Sequence, residues 1–91
     1  MNVPESFLAY GRFFGQDVFV IYPSLEEAFR HAPDYLTEEQ VASVKAYLDE
    51  LISGRYTNEE LLEIWEKSKS EIYVTRGNMI DFFRQARSYL D

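Results

Sequence analysis

A chain of 91 residues with 46% hydrophobic and 16% aromatic content has the length for one domain, spanning residues 1–91, and the material for one hydrophobic core. Sixteen acidic residues against nine basic ones give a net charge of −7, which argues against nucleic acid or an anionic membrane as the main ligand, because both demand a basic footprint. The absence of cysteine excludes a disulfide framework and a thiolate metal site, and points to a reducing compartment, the cytoplasm.

The stretch from Met1 to Gln16 shows neither a basic start with a long apolar run nor a small-residue cleavage site, and no segment approaches the roughly 18 apolar residues that span a bilayer. Within it, Phe7, Tyr10 and Phe14 recur at helical spacing behind Pro4, a favoured first-turn residue, so a short helix is expected between Pro4 and Gly15. Val18 to Tyr22 follows as an apolar run rich in β-branched and aromatic residues, as does Ile72 to Thr75 further on. The two can pair as short strands. Two isolated short strands are marginal, however, and extended connectors packed on a helical core are the preferred reading.

Three segments carry the same helix-start signal, a hydroxyl residue followed three positions later by Glu or Gln: Ser24 with Glu27, Thr37 with Gln40, and Thr57 with Glu60. In such a box each side chain satisfies a backbone donor that the first turn leaves without a partner. Leu36 with Val41 and Tyr56 with Leu61 add hydrophobic staples around the two threonines. The first capped helix, Ser24 to about Ala32, buries Leu25, Ala28, Phe29 and Ala32 and ends before Pro33, because the residue preceding proline is pushed out of the helical region. From Thr37 to Ser53 a second places Val41, Val44, Leu48, Leu51 and Ile52 on one stripe and stops at Gly54, suited to a left-handed terminal conformation. The third, Thr57 to about Ser68, buries Leu61, Leu62, Ile64 and Trp65. A last helix begins near Asn78 and presents Met79, Phe82, Phe83, Ala86 and Leu90 at spacings of three and four. The pattern predicts a mainly all-α fold, a small bundle of four to five helices with short extended connectors.

Nothing in the chain assembles a catalytic centre. The single histidine, His31, has no cysteine and no serine elbow to partner it, so nucleophilic catalysis has no support. The pairs Glu26-Glu27, Glu38-Glu39, Asp49-Glu50 and Glu59-Glu60 are adjacent in sequence, which on a helix points them about 100° apart. Most fall in first turns, where the helix dipole favours carboxylates. No calcium loop, zinc helix or phosphate loop is present, so neither a metal nor a cofactor is predicted and the protein reads as a non-enzyme.

The acidity is concentrated. From Asp17 to Glu66 twelve acidic residues face only Arg30, Lys45 and Arg55. Among them Glu59, Glu63 and Glu66 lie on one face of the third capped helix, where like charges repel by a few tenths of a kcal/mol per pair. Two readings of that face stand open: a solvated surface that keeps the protein soluble, and an electronegative docking face for a basic partner. Tyr35, Tyr47 and Tyr56 lie near the acidic residues, and tyrosine supplies large contact area with a polar tip. The predicted partner-binding set is therefore Tyr47, Asp49, Glu50, Tyr56, Glu59, Glu63 and Glu66, in a monomer or weak dimer.

Phe13-Phe14-Gly15-Gln16-Asp17, then Tyr22-Pro23-Ser24-Leu25-Glu26-Glu27-Ala28, Leu48-Asp49-Glu50-Leu51, Thr57-Asn58-Glu59-Glu60-Leu61 and a terminal Phe82-Phe83 through Leu90 together resemble the immunity proteins of bacterial contact-dependent growth inhibition systems. The likeness spans most of the chain and is to the group in which an aromatic-x-Gln-Asp element precedes a Ser-x-Glu-Glu-Ala helix; Gly15 departs from it, standing where a bulkier polar residue is usual. It implies a helical protein that binds and neutralises a toxic C-terminal domain, often a nuclease. It also singles out Asp17 as a candidate partner-binding residue, whose local alternative is to accept backbone N–H bonds in the turn after the first helix. The competing functional reading is an acidic helical adaptor or regulatory domain unrelated to toxins.

Overall fold

Cap chemistry sets where the helices begin. The computed structural model describes residues 3–15, 18–68 and 79–90. Thr37 Oγ1 accepts the Gln40 N–H at 3.1 Å while Gln40 Oε1 accepts the Thr37 N–H at 2.8 Å. Thr57 and Glu60 repeat the exchange at 3.1 and 2.9 Å. These two boxes start α4, Glu38–Leu51, and α5, Asn58–Lys67. Ser24 forms only half a box: its hydroxyl accepts the Glu27 N–H at 3.2 Å, but the Glu27 carboxylate turns instead to Arg30 at 3.0 Å. The helix it starts, α3, is Leu25–His31. Around them α1 covers Glu5–Phe13 behind Pro4, and α6 covers Met79–Ser88.

One local expectation is overturned. Val18 to Tyr22 is not an extended connector; Val18–Ile21 coils into a single helical turn, α2, closed by Val18 N–H to Gly15 O at 3.1 Å and Tyr22 N–H to Val18 O at 2.8 Å. Strand propensity expresses packing on a sheet, and among the described residues there is no strand for this run to join, so its backbone groups are satisfied locally. α3 ends before Pro33, as the sequence predicts, and the chain does not straighten there. It passes into a 3-10 turn, Ala32–Tyr35, which holds Pro33 near its start, where a missing N–H costs nothing. Ile72 to Thr75 and Asn78 lie outside the described residues.

The result is a small all-α bundle. α1 packs on α4, α4 on α6 and α5 on α6. The predicted stripes meet at a core in which Phe7, Phe14, Phe29, Leu48, Leu51, Leu61, Trp65 and Phe83 are buried. Its centre is aromatic. Phe7 meets Tyr47, Phe83 and Trp65 with ring centroids at 5.0, 6.0 and 6.1 Å, and Trp65 meets Phe82 and Phe14 at 5.1 and 5.7 Å. Edge-on and tilted contacts of this kind each contribute about 0.5–1.5 kcal/mol beyond area burial.

A few polar contacts fix how the helices meet. Asp49 Oδ1 accepts from Arg87 Nε at 2.8 Å, tying α4 to α6. Asn58 Oδ1 accepts the backbone N–H of Met79 at 2.7 Å, so a side chain at the start of α5 satisfies a first-turn donor of α6. α1 approaches the end of α5 so closely that a Cβ at Gly11 would collide with the Ser68 side chain, including Ser68 Cβ, whose position no rotamer can change. Gly54, at φ +97°, turns the chain between α4 and α5, as the sequence predicts. No helix among the described residues is long and apolar enough to cross a membrane.

Candidate functional site

The cap of Thr57 determines the phase of α5 and so which carboxylates face outward. With Leu61, Ile64 and Trp65 committed to the core, Glu59, Glu63 and Glu66 must point away, and all three are exposed. None forms an ion pair or side-chain hydrogen bond among the described residues. Their neighbour Glu60 is consumed by the capping box, and Lys67, in the last turn, is the only cation on the helix. α5 therefore presents three exposed carboxylates on one face, with Lys67 one turn beyond Glu63 as the nearest cation of the helix. In water such a row attracts basic partners over a Debye length of about 8 Å and raises association rates.

The other predicted residues divide. Glu50 and Tyr56 come together at the corner between α4 and α5, where the Tyr56 hydroxyl donates to Glu50 Oε1 at 3.4 Å and Arg55 Nη1 stands 3.9 Å from the same oxygen. Asp49 points the other way, into its contact with Arg87, and is engaged in holding α4 to α6. Asp17 lies outside the described residues. Tyr47, in the predicted partner-binding set, requires a correction: it is a core residue of α4, 8% exposed, with its ring against Phe7. The reason was present in the spacing, since Tyr47 stands three residues after Val44 and four before Leu51, on the stripe that packs inward. Its hydroxyl is buried without a hydrogen-bond partner among the described residues, which costs about 1–3 kcal/mol. Burial pushes the Tyr47 phenol above its ordinary pKa, with Tyr56 and Glu50 adding to the rise. Tyr56 is raised chiefly by burial as well, then by the charge of Glu50.

A second surface carries no charge signature. Phe13 from α1 meets Tyr35 of the 3-10 turn and Tyr22 after α2 at 5.0 and 5.6 Å, and the Tyr22 ring stacks on His31 at 5.2 Å. The Tyr22 and Tyr35 hydroxyls share a hydrogen bond of 3.1 Å. That bond holds the neutral form and pushes the Tyr22 phenol up to about 12, with burial and the charges of Tyr35 and Asp34 contributing less. With Arg12, Val18 and Ile21 these rings enclose a cleft of about 260 Å³. Beside it Val20 is 83% exposed, Ile21 65% and Tyr35 65%. His31 is occupied here too, flanked by Glu27 Oε2 at 3.6 Å and Asp34 Oδ2 at 3.5 Å. Phe13, Tyr22 and Tyr35 are too far apart in sequence for any helical or strand period to join them. Only the exposure of an apolar run, which composition reads as interior, marks the place.

No family model, curated protein or solved structure matches the chain. Among the described residues no three His, Asp or Glu side chains converge as metal ligands. The described surface carries one face of exposed carboxylates, one corner where the Tyr56 hydroxyl donates to the Glu50 carboxylate, and one exposed aromatic cleft.

Proposed function

We propose that this protein is a non-catalytic binding domain that captures a basic protein partner, and that the partner is the toxic C-terminal domain of a contact-dependent growth inhibition system, against which the chain serves as the immunity protein. The observation that carries the binding reading is the row Glu59, Glu63 and Glu66, exposed together on α5 and engaged in no ion pair among the described residues. Helix stability does not account for it, because the repulsion along the row is unfavourable to the helix and only Glu59 falls in the first turn. The sequence resemblance supports the choice of partner. A nuclease toxin must hold phosphates in a basic cleft, and an acidic helix face is complementary to such a cleft or to its rim. Protection of this kind acts in the cytoplasm, where the toxin reaches its target.

Co-expression with the toxic domain encoded immediately upstream restores growth on this reading, and the two proteins co-purify. Continued killing with no complex in solution sinks it. Reversal of Glu59, Glu63 and Glu66 to Lys is expected to slow association at least about tenfold at low salt while leaving the helical circular dichroism intact. An association rate that does not move removes α5 from the interface.

A further inference from the structure

The cleft walled by Phe13, Val18, Ile21, Tyr22 and Tyr35 has no acidic side chain in its described lining, although the chain carries sixteen acidic residues against nine basic ones. The charged group that lines it is Arg12. Arg30, Arg55, Arg84 and Arg87 each stand against a carboxylate of this chain, at 3.0, 3.9, 3.6 and 2.8 Å. The Arg12 guanidinium, exposed in the last turn of α1, makes no ion pair or hydrogen bond among the described residues. The same cleft holds a second donor. The hydrogen bond between the Tyr22 and Tyr35 hydroxyls uses one proton, so the accepting phenol keeps its own O–H, for which there is no acceptor among the described residues. An apolar hollow that offers a guanidinium fork and a phenolic O–H is complementary to a carboxylate joined to an apolar group. A doubly charged phosphate fits less well, with one cation to meet it in a chain of net charge −7. At about 260 Å³ the hollow is smaller than the roughly 300–1,000 Å³ of sites that enclose whole drug-sized ligands, and it suits one large side chain. Beside it Val20 is 83% exposed. A ligand confined to the hollow leaves Val20 in water, and one that continues as a chain covers it.

We infer that this cleft captures the C-terminal residue of a partner polypeptide, its aromatic or branched apolar side chain seated among Phe13, Tyr22 and Tyr35 and its terminal carboxylate held by Arg12. At a chain end the carboxylate and the side chain leave the same Cα, so a single residue supplies both groups that the cleft complements. The planar guanidinium meets both carboxylate oxygens at once, which an ammonium cannot do. Seating the side chain removes apolar surface of Ile21 from water, and the residues that precede the chain end run over Val20. The site is built on α1, α2 and the 3-10 turn and takes an anion, whereas the α5 carboxylates attract cations, so the two surfaces do not compete for the same group. Capture of a chain end here does not depend on the partner of α5 being a toxin.

The test titrates the tripeptide acetyl-alanyl-alanyl-phenylalanine, once as the free acid and once as the C-terminal amide, into the isotopically labelled full chain, followed by nuclear magnetic resonance. The acid is expected to shift the signals of Phe13, Ile21, Tyr22 and Tyr35 along one saturating curve and to bind about tenfold more tightly than the amide. Arg12→Gln brings the acid down to the affinity of the amide at an unchanged melting temperature, because the guanidinium has no partner to lose in the free protein. Arg12→Lys, which keeps the charge without the fork, falls between the two. Val20→Ser weakens the tripeptide acid about threefold and leaves 3-phenylpropionate, which fills the hollow alone, where it was. Equal affinities for acid and amide overturn the site, as does an Arg12→Gln variant that binds the acid undiminished. Binding of 3-phenylpropionate as tight as that of the tripeptide acid overturns the chain end in favour of a small free acid. Cleft signals that move with the concentration of the protein itself, without any probe, overturn it in favour of a second copy of this chain.

Discussion

The carboxylates of α5 and the rings around α2 are both exposed, yet they reach the surface for opposite reasons. On α5 a strong local signal, the Thr57 cap followed by Leu61, Ile64 and Trp65 facing inward, leaves Glu59, Glu63 and Glu66 nowhere to go but out. Around α2 the local signal points inward: Val18 to Tyr22 is the most apolar run of the chain, and the fold buries Val18 but leaves Val20 and Ile21 in solvent. The acidic face is inexpensive to maintain, since charge belongs in water. An exposed valine and isoleucine forgo the roughly 1.5–3 kcal/mol that burying each would contribute. A charged face can be kept exposed at little cost to the fold, and an apolar one cannot.

The largest effect expected is one that damages both regions together. Gly11→Ala places a Cβ against Ser68 and forces α1, which carries Phe13, away from α5, which carries the carboxylates. Overpacking of this kind costs about 3 kcal/mol, seen as a lower midpoint in urea unfolding, and Gly11→Ala combined with Ser68→Gly recovers most of it. An uncoupled pair of losses would show that the two helices do not meet there.

Next in size is the contrast between the surfaces themselves. The Glu59, Glu63 and Glu66 reversal lowers the association rate steeply and its effect fades in high salt, whereas Val20→Ser with Ile21→Ser leaves the association rate in place and changes only the dissociation rate if the aromatic cleft joins the interface. A salt-insensitive loss of association from the Val20 and Ile21 pair reverses the ranking of the two faces. Asp49 gives a finer cut. Asp49→Asn loosens α4 from α6, and a single pair at the protein surface is worth at most about 1 kcal/mol. It is expected to shift thermal unfolding slightly and to leave partner association unchanged, in contrast to Glu63→Gln.

The smallest effect is at alkaline pH. A phenol whose pKa is raised on folding keeps its proton longer in the folded state, so its contribution to stability is complete below the unfolded value of 10 and is lost as pH rises towards about 12, the value for Tyr22. Ultraviolet titration is expected to find Tyr22 still largely neutral at pH 11, and Tyr35→Phe, which removes the hydrogen bond, brings its ionisation back towards 10.

Most of the fold was legible because its signals are local. Thr37 and Thr57 set the starts of α4 and α5, and the stripe from Met79 to Leu90 delivered five buried residues at the spacings expected. Legibility failed where tertiary context decides. Strand propensity at Val18 to Tyr22 has no strand to pair with among the described residues. Tyr47 has the type and the acidic neighbours of a binding residue, but its register with Val44 and Leu51 places it inside. Asp49 and Glu50 are adjacent in sequence, but a helix sends neighbours in different directions: one ties α6 and the other faces the Tyr56 corner. The aromatic cleft had no sequence signature, because Phe13, Tyr22 and Tyr35 meet only after the bundle has closed.

The hydrogen bond from Asn58 to the Met79 amide has a dynamic meaning. A helix capped by its own preceding residue can fray and re-form alone, but the first donor of α6 is satisfied from α5, so opening one start exposes the other. Exchange of the Met79 amide with solvent should therefore follow the opening of α5 and slow together with it. A partner seated on Glu59, Glu63 and Glu66 would then be sensed at the far helix as added protection, with no residue of α6 in contact with it.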